Sequence, residues 1–141
     1  MGKKRVIVVS DKDNVEIRER LKEMVEESGE FEIVALSRLK VSRVRSELAP
    51  PRPDVVLVSA FLYHPEELLE LAGFIRRARR HLPDSTIFIL HAPLLLEEEM
   101  EPIFKSGVDA WVDERTPAEN FGRILSKVVA AGRGSREVAR R

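Results

Sequence analysis

Short runs of apolar residues alternate along the chain with longer segments in which apolar residues recur every three or four positions. The clearest runs are Val6–Val9, Asp54–Ser59 and Thr86–Leu90. Strands buried on both faces of a parallel sheet are apolar almost throughout, so these runs predict interior parallel strands. Phe31–Leu36 and the shorter Ala110–Val112 predict two further strands.

The segments between the strands have helical periodicity. Asp13, followed by Glu16, resembles a capping box, and Thr116, followed by Glu119, predicts another helix start. Pro102 lies inside a predicted helix, where we expect a kink or a late start. Five helices are predicted. The first begins at Asp13, the next three span Val41–Leu48, Pro65–His81 and Leu95–Ser106, and the last begins at Thr116.

Regular alternation of strands and helices predicts an α/β fold, with a parallel sheet covered by helices on both faces. Ligands of such sheets bind beyond the carboxyl ends of the strands. We therefore expect any chemical function among the residues that end the predicted strands, which are Ser10, Asp11, Asp13, Ser59, Ala60, His91, Ala92, Asp113 and Glu114.

Composition narrows the class of protein. The 141 residues fit one domain, and 24 basic side chains balance 24 acidic ones. This balance argues against a stand-alone nucleic-acid binder and against attachment to a membrane surface. The chain contains no cysteine, which excludes disulfides, thiolate catalysis and cysteine-bound metals. Without a spanning apolar run or a signal peptide, we expect a soluble cytoplasmic protein.

The segments that carry this pattern are "RVIVVSD", "FEIVAL", "RPDVVLVS", "LPDSTIFILHA", "SGVDAWV" and "TPAENFGRILSKVVAAG". Together, from Lys4 to about Gly132, they resemble the receiver domain of two-component response regulators. The resemblance is strongest to the branch with a NarL/LuxR-type DNA-binding output domain. It implies a flavodoxin-like, CheY-like fold: a doubly wound, five-stranded parallel sheet of strand order 2-1-3-4-5, with helices on both faces.

The resemblance also implies a domain organisation. Residues 1–131 correspond to the receiver, and residues 132–141, "GRGSREVARR", are similar to the basic linker that leads to the output domain. No output domain follows in this sequence, so we expect it to be absent or truncated. DNA binding is then expected only through that missing C-terminal domain.

At the receiver's phosphorylation site the sequence departs from the family pattern. The acidic pair that holds Mg²⁺ corresponds to Ser10 and Asp11, and the phosphoaccepting aspartate corresponds to Ser59. A serine hydroxyl is a weak nucleophile unless a base activates it. One carboxylate is a poor site for Mg²⁺, which prefers several oxygen ligands. We therefore expect no cofactor, with Mg²⁺ on Asp11 as the alternative.

Two further positions depart from the family pattern, and a third keeps its aromatic residue. The hydroxyl residue that responds to phosphorylation corresponds to His91, the invariant lysine to Glu114 and the aromatic switch residue to Trp111. A glutamate in place of lysine removes a cation and adds an anion, which repels a phosphoryl group. We interpret the site as one that has lost phosphoacceptor chemistry.

Several residues allow two interpretations. Ser59 is either a nucleophile activated by His91 or, as we favour, one of two polar residues that line a vestigial pocket. Asp13 is either a helix cap, which Glu16 favours, or part of an acidic pocket with Asp11 and Glu114.

The resemblance implies an atypical receiver, or pseudo-receiver, which is not an enzyme. It would act in signal transduction or transcription regulation through a homodimer or a protein partner. Receivers commonly dock through their first and last helices, or through the fourth helix, fifth strand and fifth helix. The corresponding apolar residues are Leu94, Leu95, Leu96, Ile124 and Val128. The alternative is a small ligand-binding or enzymatic protein that uses a pocket of Ser59, His91, Asp11 and Glu114 on the same scaffold.

Overall fold

A computed structural model describes residues 2–10, 15–38, 53–60 and 65–139. These residues form six strands and four α-helices. The strands are β1 (Lys4–Ser10), β2 (Phe31–Arg38), β3 (Val55–Ser59), β4 (Ile87–Ala92), β5 (Ala110–Asp113) and β6 (Glu137–Ala139). The helices are α1 (Val15–Glu26), α2 (Pro65–His81), α3 (Glu97–Ser106) and α4 (Ala118–Ala131).

All strand pairs in the sheet are parallel, in the order β2-β1-β3-β4-β5-β6. This order confirms the predicted arrangement 2-1-3-4-5 and the α/β class. The chain places β2 on one side of β1 and then β3 to β6 on the other side, so the sheet is doubly wound.

Alternate residues of the central strands enter two separate cores. Ile7 and Val9 of β1 pack on the face covered by α2 and α3. Val6 and Val8 pack on the opposite face, covered by α1 and α4. Because helices bury both faces of the sheet, successive residues of these strands are apolar. Their sequences therefore do not alternate between apolar and polar residues.

Most helix boundaries agree with the sequence. The helix predicted over Pro65–His81 is confirmed as α2. α3 begins at Glu97, later than Leu95, and the Glu99 carboxylate accepts a hydrogen bond from the Leu96 backbone N–H at 3.2 Å. In the described ranges, no helix is long and apolar enough to cross a membrane.

The predicted cap of the last helix is wrong. α4 begins at Ala118 with Pro117 at the cap position, and no side chain caps it. The Thr116 hydroxyl therefore makes no capping bond, although its sequence context is favourable. The predicted start at Asp13 and the predicted helix over Val41–Leu48 lie outside the described residues.

The sixth strand is the main departure from the predicted fold. β6 lies in the segment predicted as a linker, and it pairs in parallel with β5. Asp109, just before β5, accepts hydrogen bonds from the Gly134 backbone N–H at 2.9 Å and from Arg133 Nε at 3.0 Å. Val138 packs against the core on the α2–α3 face. The segment therefore extends the sheet rather than leaving it.

Candidate functional site

Polar side chains lie at or next to the carboxyl ends of four strands of the sheet. Ser10 ends β1 opposite Ser59 of β3, and Ser59 lies opposite His91 of β4. Asp113 ends β5 opposite Ala92. All four polar residues are at most 9% exposed. The parallel register thus brings Ser10, Ser59 and His91 together in a buried polar row. Asp113 is in register with Ala92 and not with His91, so it does not continue this row.

Ser59 and His91 are hydrogen-bonded to each other. The Ser59 Oγ atom lies 3.2 Å from His91 Nδ1. The imidazole and the Phe121 ring make a T-shaped contact, with a centroid distance of 5.3 Å and an interplanar angle of 88°. The serine and the phenyl ring together fix the orientation of the imidazole. His91 Nε2 has no hydrogen-bond partner among the described residues.

Burial keeps His91 uncharged. It lowers the pKa of the imidazole from 6.5 to about 4, although the negative charge of Asp113 and the backbone of Glu114 act in the opposite direction. The ring is therefore neutral at pH 7. In a Ser-His-Asp triad, an acid orients the imidazole through the nitrogen that does not face the serine. Here the corresponding nitrogen, Nε2, meets no acid in the part of the chain described.

The end of β5 makes the rim acidic. Glu114 is half-buried, and burial followed by the charge of Asp113 raises the pKa of its carboxyl, with Arg115 opposing. Asp113 accepts a hydrogen bond from the Arg115 backbone N–H at 3.0 Å. Glu114 is itself held by its backbone N–H, which donates to the Ala92 carbonyl at 3.1 Å. The Glu114 carboxylate therefore repels an anion that approaches this rim.

The space beside these groups is a pocket of about 280 Å³. We call it the strand-end pocket; it is lined by Arg20, Leu21, Met24, Ser59, His91, Glu114 and Thr116. Sequence reasoning missed Thr116 as a lining residue because its context predicted a helix cap. It also missed the contribution of α1, whose periodicity showed which residues face the core but not which of them reach the strand ends.

The described residues do not offer a Mg²⁺ site. Among them, no group of three or more His, Asp or Glu side chains could hold a metal ion. Around the strand-end pocket the available oxygens are those of one carboxylate, Glu114, and the Ser59 and Thr116 hydroxyls, a set poor in the carboxylates that bind Mg²⁺. Asp11 and Asp13 lie outside the described residues.

Trp111 lies away from the pocket. Its side chain is fully buried in the core on the α2–α3 face. The indole Nε1–H donates to the Ala92 carbonyl at 3.3 Å, and the ring packs at 6.0 Å from that of Phe104 in α3. The indole thus connects the end of β4 with α3.

The apolar residues predicted as an interaction surface differ in exposure. Leu96 is 63% exposed, whereas Val128 is 0% exposed and contributes no area to a docking surface. Leu94 and Leu95 are half-buried against the core, and Ile124 is half-buried on the other face.

The architecture is similar to that of receiver domains of known structure. The signal receiver domain of the response regulator NarL from Mycobacterium tuberculosis matches with a TM-score of 0.72 at 17% identity, covering 92% of this chain and 98% of that chain. A two-component response regulator of the LuxR family from Aurantimonas sp. SI85-9A1 matches with a TM-score of 0.71 at 14% identity, covering 94% and 89%.

A response regulator from Thermotoga maritima matches with a TM-score of 0.68 at 17% identity, covering 92% of this chain and 99% of that chain. No protein-family model and no curated protein matches the sequence. At these identities the likeness concerns the fold alone. The chain therefore has the CheY-like fold of response-regulator receiver domains, extended by the sixth strand.

Proposed function

We propose that this protein is a pseudo-receiver: a two-component-type signalling module that acts by protein–protein interaction, without aspartyl phosphorylation. The observation that carries the proposal is the hydrogen bond of 3.2 Å between Ser59, at the end of β3, and the buried His91. Receivers carry the phosphoaccepting aspartate at the position of Ser59. Here the Ser59 hydroxyl is hydrogen-bonded to a neutral imidazole, and this position carries no carboxylate.

The electrostatics of the site also oppose phosphoryl transfer. The reaction needs an in-line nucleophile and cations that neutralise charge on the phosphoryl oxygens. Glu114 supplies an anion in place of the receiver's lysine, and the buried Asp113 lies next to it. An acyl-phosphate mimic would therefore be repelled at the position where a receiver attracts it.

The fold supports a proposal for the biological setting. We propose a cytoplasmic role in signal transduction, with transcription regulation as its output. Two of the similar structures, NarL and the LuxR-family protein, are response regulators by name. DNA contact would come only through a C-terminal output domain, because the described surface belongs to a chain with no net charge.

Docking would use the exposed apolar side chain that precedes α3. Leu96 is 63% exposed, and Leu94 and Leu95 form half-buried apolar surface next to it. We propose a homodimer or a protein partner at this surface. Sedimentation of the Leu96→Glu variant tests the homodimer, and the matched control is Leu69→Glu on α2, where the leucine is 77% exposed. A dimer lost in both variants, or in neither, contradicts docking at Leu96.

The phosphorylation question is tested with Trp111 as the reporter. Its indole is buried and bonded to the Ala92 carbonyl, so a rearrangement of the strand ends changes its fluorescence. We expect no saturable change on addition of Mg²⁺ and then beryllofluoride, and no phosphate incorporated from acetyl phosphate. The double variant Ser59→Asp with Glu114→Lys is the comparison that restores the receiver's groups.

Phosphate incorporation by the unmodified protein would overturn the proposal. Incorporation that appears only in the double variant would support it directly, because the two changed positions would then account for the lost chemistry. A saturable beryllofluoride response of the unmodified protein also contradicts the proposal, since it requires a working metal and phosphoryl site.

A further inference from the structure

The residues after α4 are held at the edge of β5 by contacts that match their side chains one by one. Arg133 Nε donates to Oδ1 of Asp109 at 3.0 Å, and Ser135 Oγ donates to the Asp109 backbone carbonyl at 3.1 Å. Val138 pairs with Trp111 of β5 and packs on the α2–α3 core. We call residues 132–139 the C-terminal segment.

The contacts of Arg136 are specific for an arginine. Its Nη1 donates to both carboxylate oxygens of Glu101 at 3.0 Å, and its guanidinium carbon lies 5.7 Å from the ring centroid of Phe104. A carboxylate next to an aromatic face suits a planar guanidinium better than an ammonium group. Glu101, Phe104, Asp109 and the outer edge of β5 together form what we call the edge site.

The Asp109 carboxylate contacts the body of the domain and the C-terminal segment through different oxygens. Oδ2 accepts the Phe88 backbone N–H at 2.8 Å and pairs with Arg79. Oδ1 accepts Arg133 Nε and the Gly134 backbone N–H, the latter at 2.9 Å. If the segment leaves, the bonds to Oδ2 stay intact, and another donor can bind Oδ1.

The C-terminal segment is held weakly compared with the interior strands. The three residues of β6 are only half-buried. The side chains of the Arg136–Glu101 salt bridge are 47% and 44% exposed, so solvent screens their attraction. Arg136 also has a φ of 53°, a left-handed conformation that is unfavourable for residues other than glycine. The segment can therefore open locally while the rest of the domain stays folded.

Two glycines weaken the docking further. Gly132 and Gly134 have φ values of 83° and 72°, and an added Cβ at either position would meet no described atom within 4 Å. Their backbone conformation, and not a lack of space, thus favours glycine. Glycine also gives the open segment more conformational freedom, which docking must remove.

An open segment would leave the outer edge of β5 unpaired, and such an edge accepts a strand from another protein. We propose that the edge site docks an extended segment of a partner protein, with an arginine for Glu101 and Phe104 and an apolar residue two positions later. The C-terminal segment is then an internal competitor that occupies the site. The inference goes beyond the proposed function, because it requires neither the loss of phosphorylation nor docking at Leu96.

The strained backbone favours a partner over a second copy of this chain. A second copy brings the same segment, with the same left-handed Arg136, and exchange of identical segments adds no contact at the edge site. A partner segment that places its arginine from an ordinary extended backbone makes these contacts without the strain.

The test uses the full chain and, as the probe, a blocked peptide of residues 132–139, GRGSREVA. The readout is the NMR signal of the indole N–H of Trp111, the only tryptophan, which pairs with Val138. In the parent protein the internal segment competes at a high effective concentration. Arg136→Glu places a like charge opposite Glu101 and releases the segment. We expect this variant to bind the peptide saturably and roughly tenfold or more tightly than the parent.

Three controls separate docking from general effects of charge. Arg123→Glu makes the same change of charge beside Glu27 and Ser28, so it should bind the peptide like the parent. Adding Glu101→Arg to Arg136→Glu exchanges the charges of the pair, so the segment docks again and peptide binding returns to the parent level or below it. A peptide that itself carries Arg136→Glu should bind the Arg136→Glu protein roughly tenfold more weakly or not at all.

The inference is overturned by equal affinities of the parent and Arg136→Glu for the peptide, by the absence of a saturable shift in Arg136→Glu, or by equal binding of the two peptides. The Trp111 signal also shows that each variant is folded, because the indole bond to Ala92 belongs to the folded core. A parent dimer that dissociates in Arg136→Glu would identify a second copy's segment as the ligand and overturn the assignment to a partner. These results are independent of phosphate incorporation and of Leu96→Glu, which test the proposed function.

Discussion

The Arg133 guanidinium Nε lies 3.0 Å from Oδ1 of Asp109, which ties the residues after α4 to a carboxylate that is only 2% exposed. The same carboxylate accepts the backbone N–H of Phe88 at 2.8 Å and that of Gly134 at 2.9 Å. It also forms a salt bridge with Arg79 of α2. One buried aspartate thus connects β4, α2 and the segment that leads into β6.

Replacing this aspartate should strongly destabilise the fold. Asp109→Ala leaves the partly buried Arg79 guanidinium without its carboxylate and leaves two backbone N–H groups without their acceptor. Breaking a buried ion pair by removing one partner costs about 3–5 kcal/mol. We expect a loss of ~3 kcal/mol or more in the free energy of unfolding, measured by urea denaturation. The Gly134 amide should also exchange its hydrogen faster.

The matched control for this prediction is Asp84→Ala. Asp84 is an exposed aspartate whose backbone carbonyl, not its side chain, accepts a hydrogen bond from Arg133. Its replacement should change the free energy of unfolding by no more than about 0.5 kcal/mol. Equal effects of the two substitutions would mean that Asp109 does not hold the β6 segment in place.

His91 should make the fold less stable in acid. Its pKa is about 4 in the folded protein and 6.5 when unperturbed, so between these values the unfolded chain binds a proton that the folded chain does not. The free energy of unfolding therefore falls as the pH is lowered from about 6.5 towards 4. At about 1.4 kcal/mol for each pH unit, the decrease amounts to ~3 kcal/mol, an order-of-magnitude figure.

Urea denaturation between pH 7.5 and 4.5 measures this effect. The His91→Asn variant should lack this part of the decrease, whereas His81→Asn, at an exposed position, should follow the parent protein. Carboxylates also titrate in this range, so the comparison is the difference between parent and variant at each pH. A constant difference between the parent and His91→Asn would show that the imidazole is not buried in its neutral form.

The sequence predicts the sheet well because each interior strand is covered on both faces. The apolar runs of β1, β3 and β4 predict strands in the interior of the sheet, where the structure has them. The range predicted for α2 coincides with the observed helix. β6 escaped prediction because only three residues pair, and its apolar side chains are one on each core, Val138 and Ala139. Its position depends on long-range bonds to Asp109, which no local pattern encodes.

The candidate site was predictable in part for the same reason. Strand ends follow from strand runs, so Ser59, His91 and Glu114 were expected together, and the pocket contains all three. Thr116 was assigned instead to a local cap, a frequent role of threonine before a helix. The structure leaves its hydroxyl unpaired, and only tertiary packing decides between these two uses of the same residue.

Trp111 should contribute to stability mainly through its volume. Trp111→Phe removes the Nε1–H donor, but the Ala92 carbonyl still accepts the Glu114 N–H at 3.1 Å. The loss is therefore that of a large side chain from a closed core, for which we expect about 1–3 kcal/mol by urea denaturation. Trp111→Leu, which leaves a larger cavity beside Phe104, should lose more. An equal or smaller loss for leucine would contradict tight packing around the indole.

Because α4 closely approaches the turn after α1, replacing a glycine of α4 by alanine should have the opposite of its usual effect on stability. Replacing a glycine inside a helix by alanine normally stabilises it by about 1 kcal/mol. At Gly122, however, an added Cβ would lie 2.9 Å from Cβ of Ser28. Overpacking of this kind costs about 1–3 kcal/mol. We expect Gly122→Ala to destabilise the protein by ~1 kcal/mol in urea denaturation.

A double-mutant cycle isolates this contact. Ser28→Gly alone loses the hydrogen bond of 3.3 Å from the Glu30 N–H to Ser28 Oγ, so it should be slightly destabilising. In the Ser28→Gly background the next nearest atom to the new methyl group is the Ser28 backbone nitrogen at 3.7 Å, an ordinary contact. Gly122→Ala should then become stabilising, with a coupling free energy of about 1–2 kcal/mol. Additive effects would show that α4 shifts away from the turn and that Gly122 is not needed for their close packing.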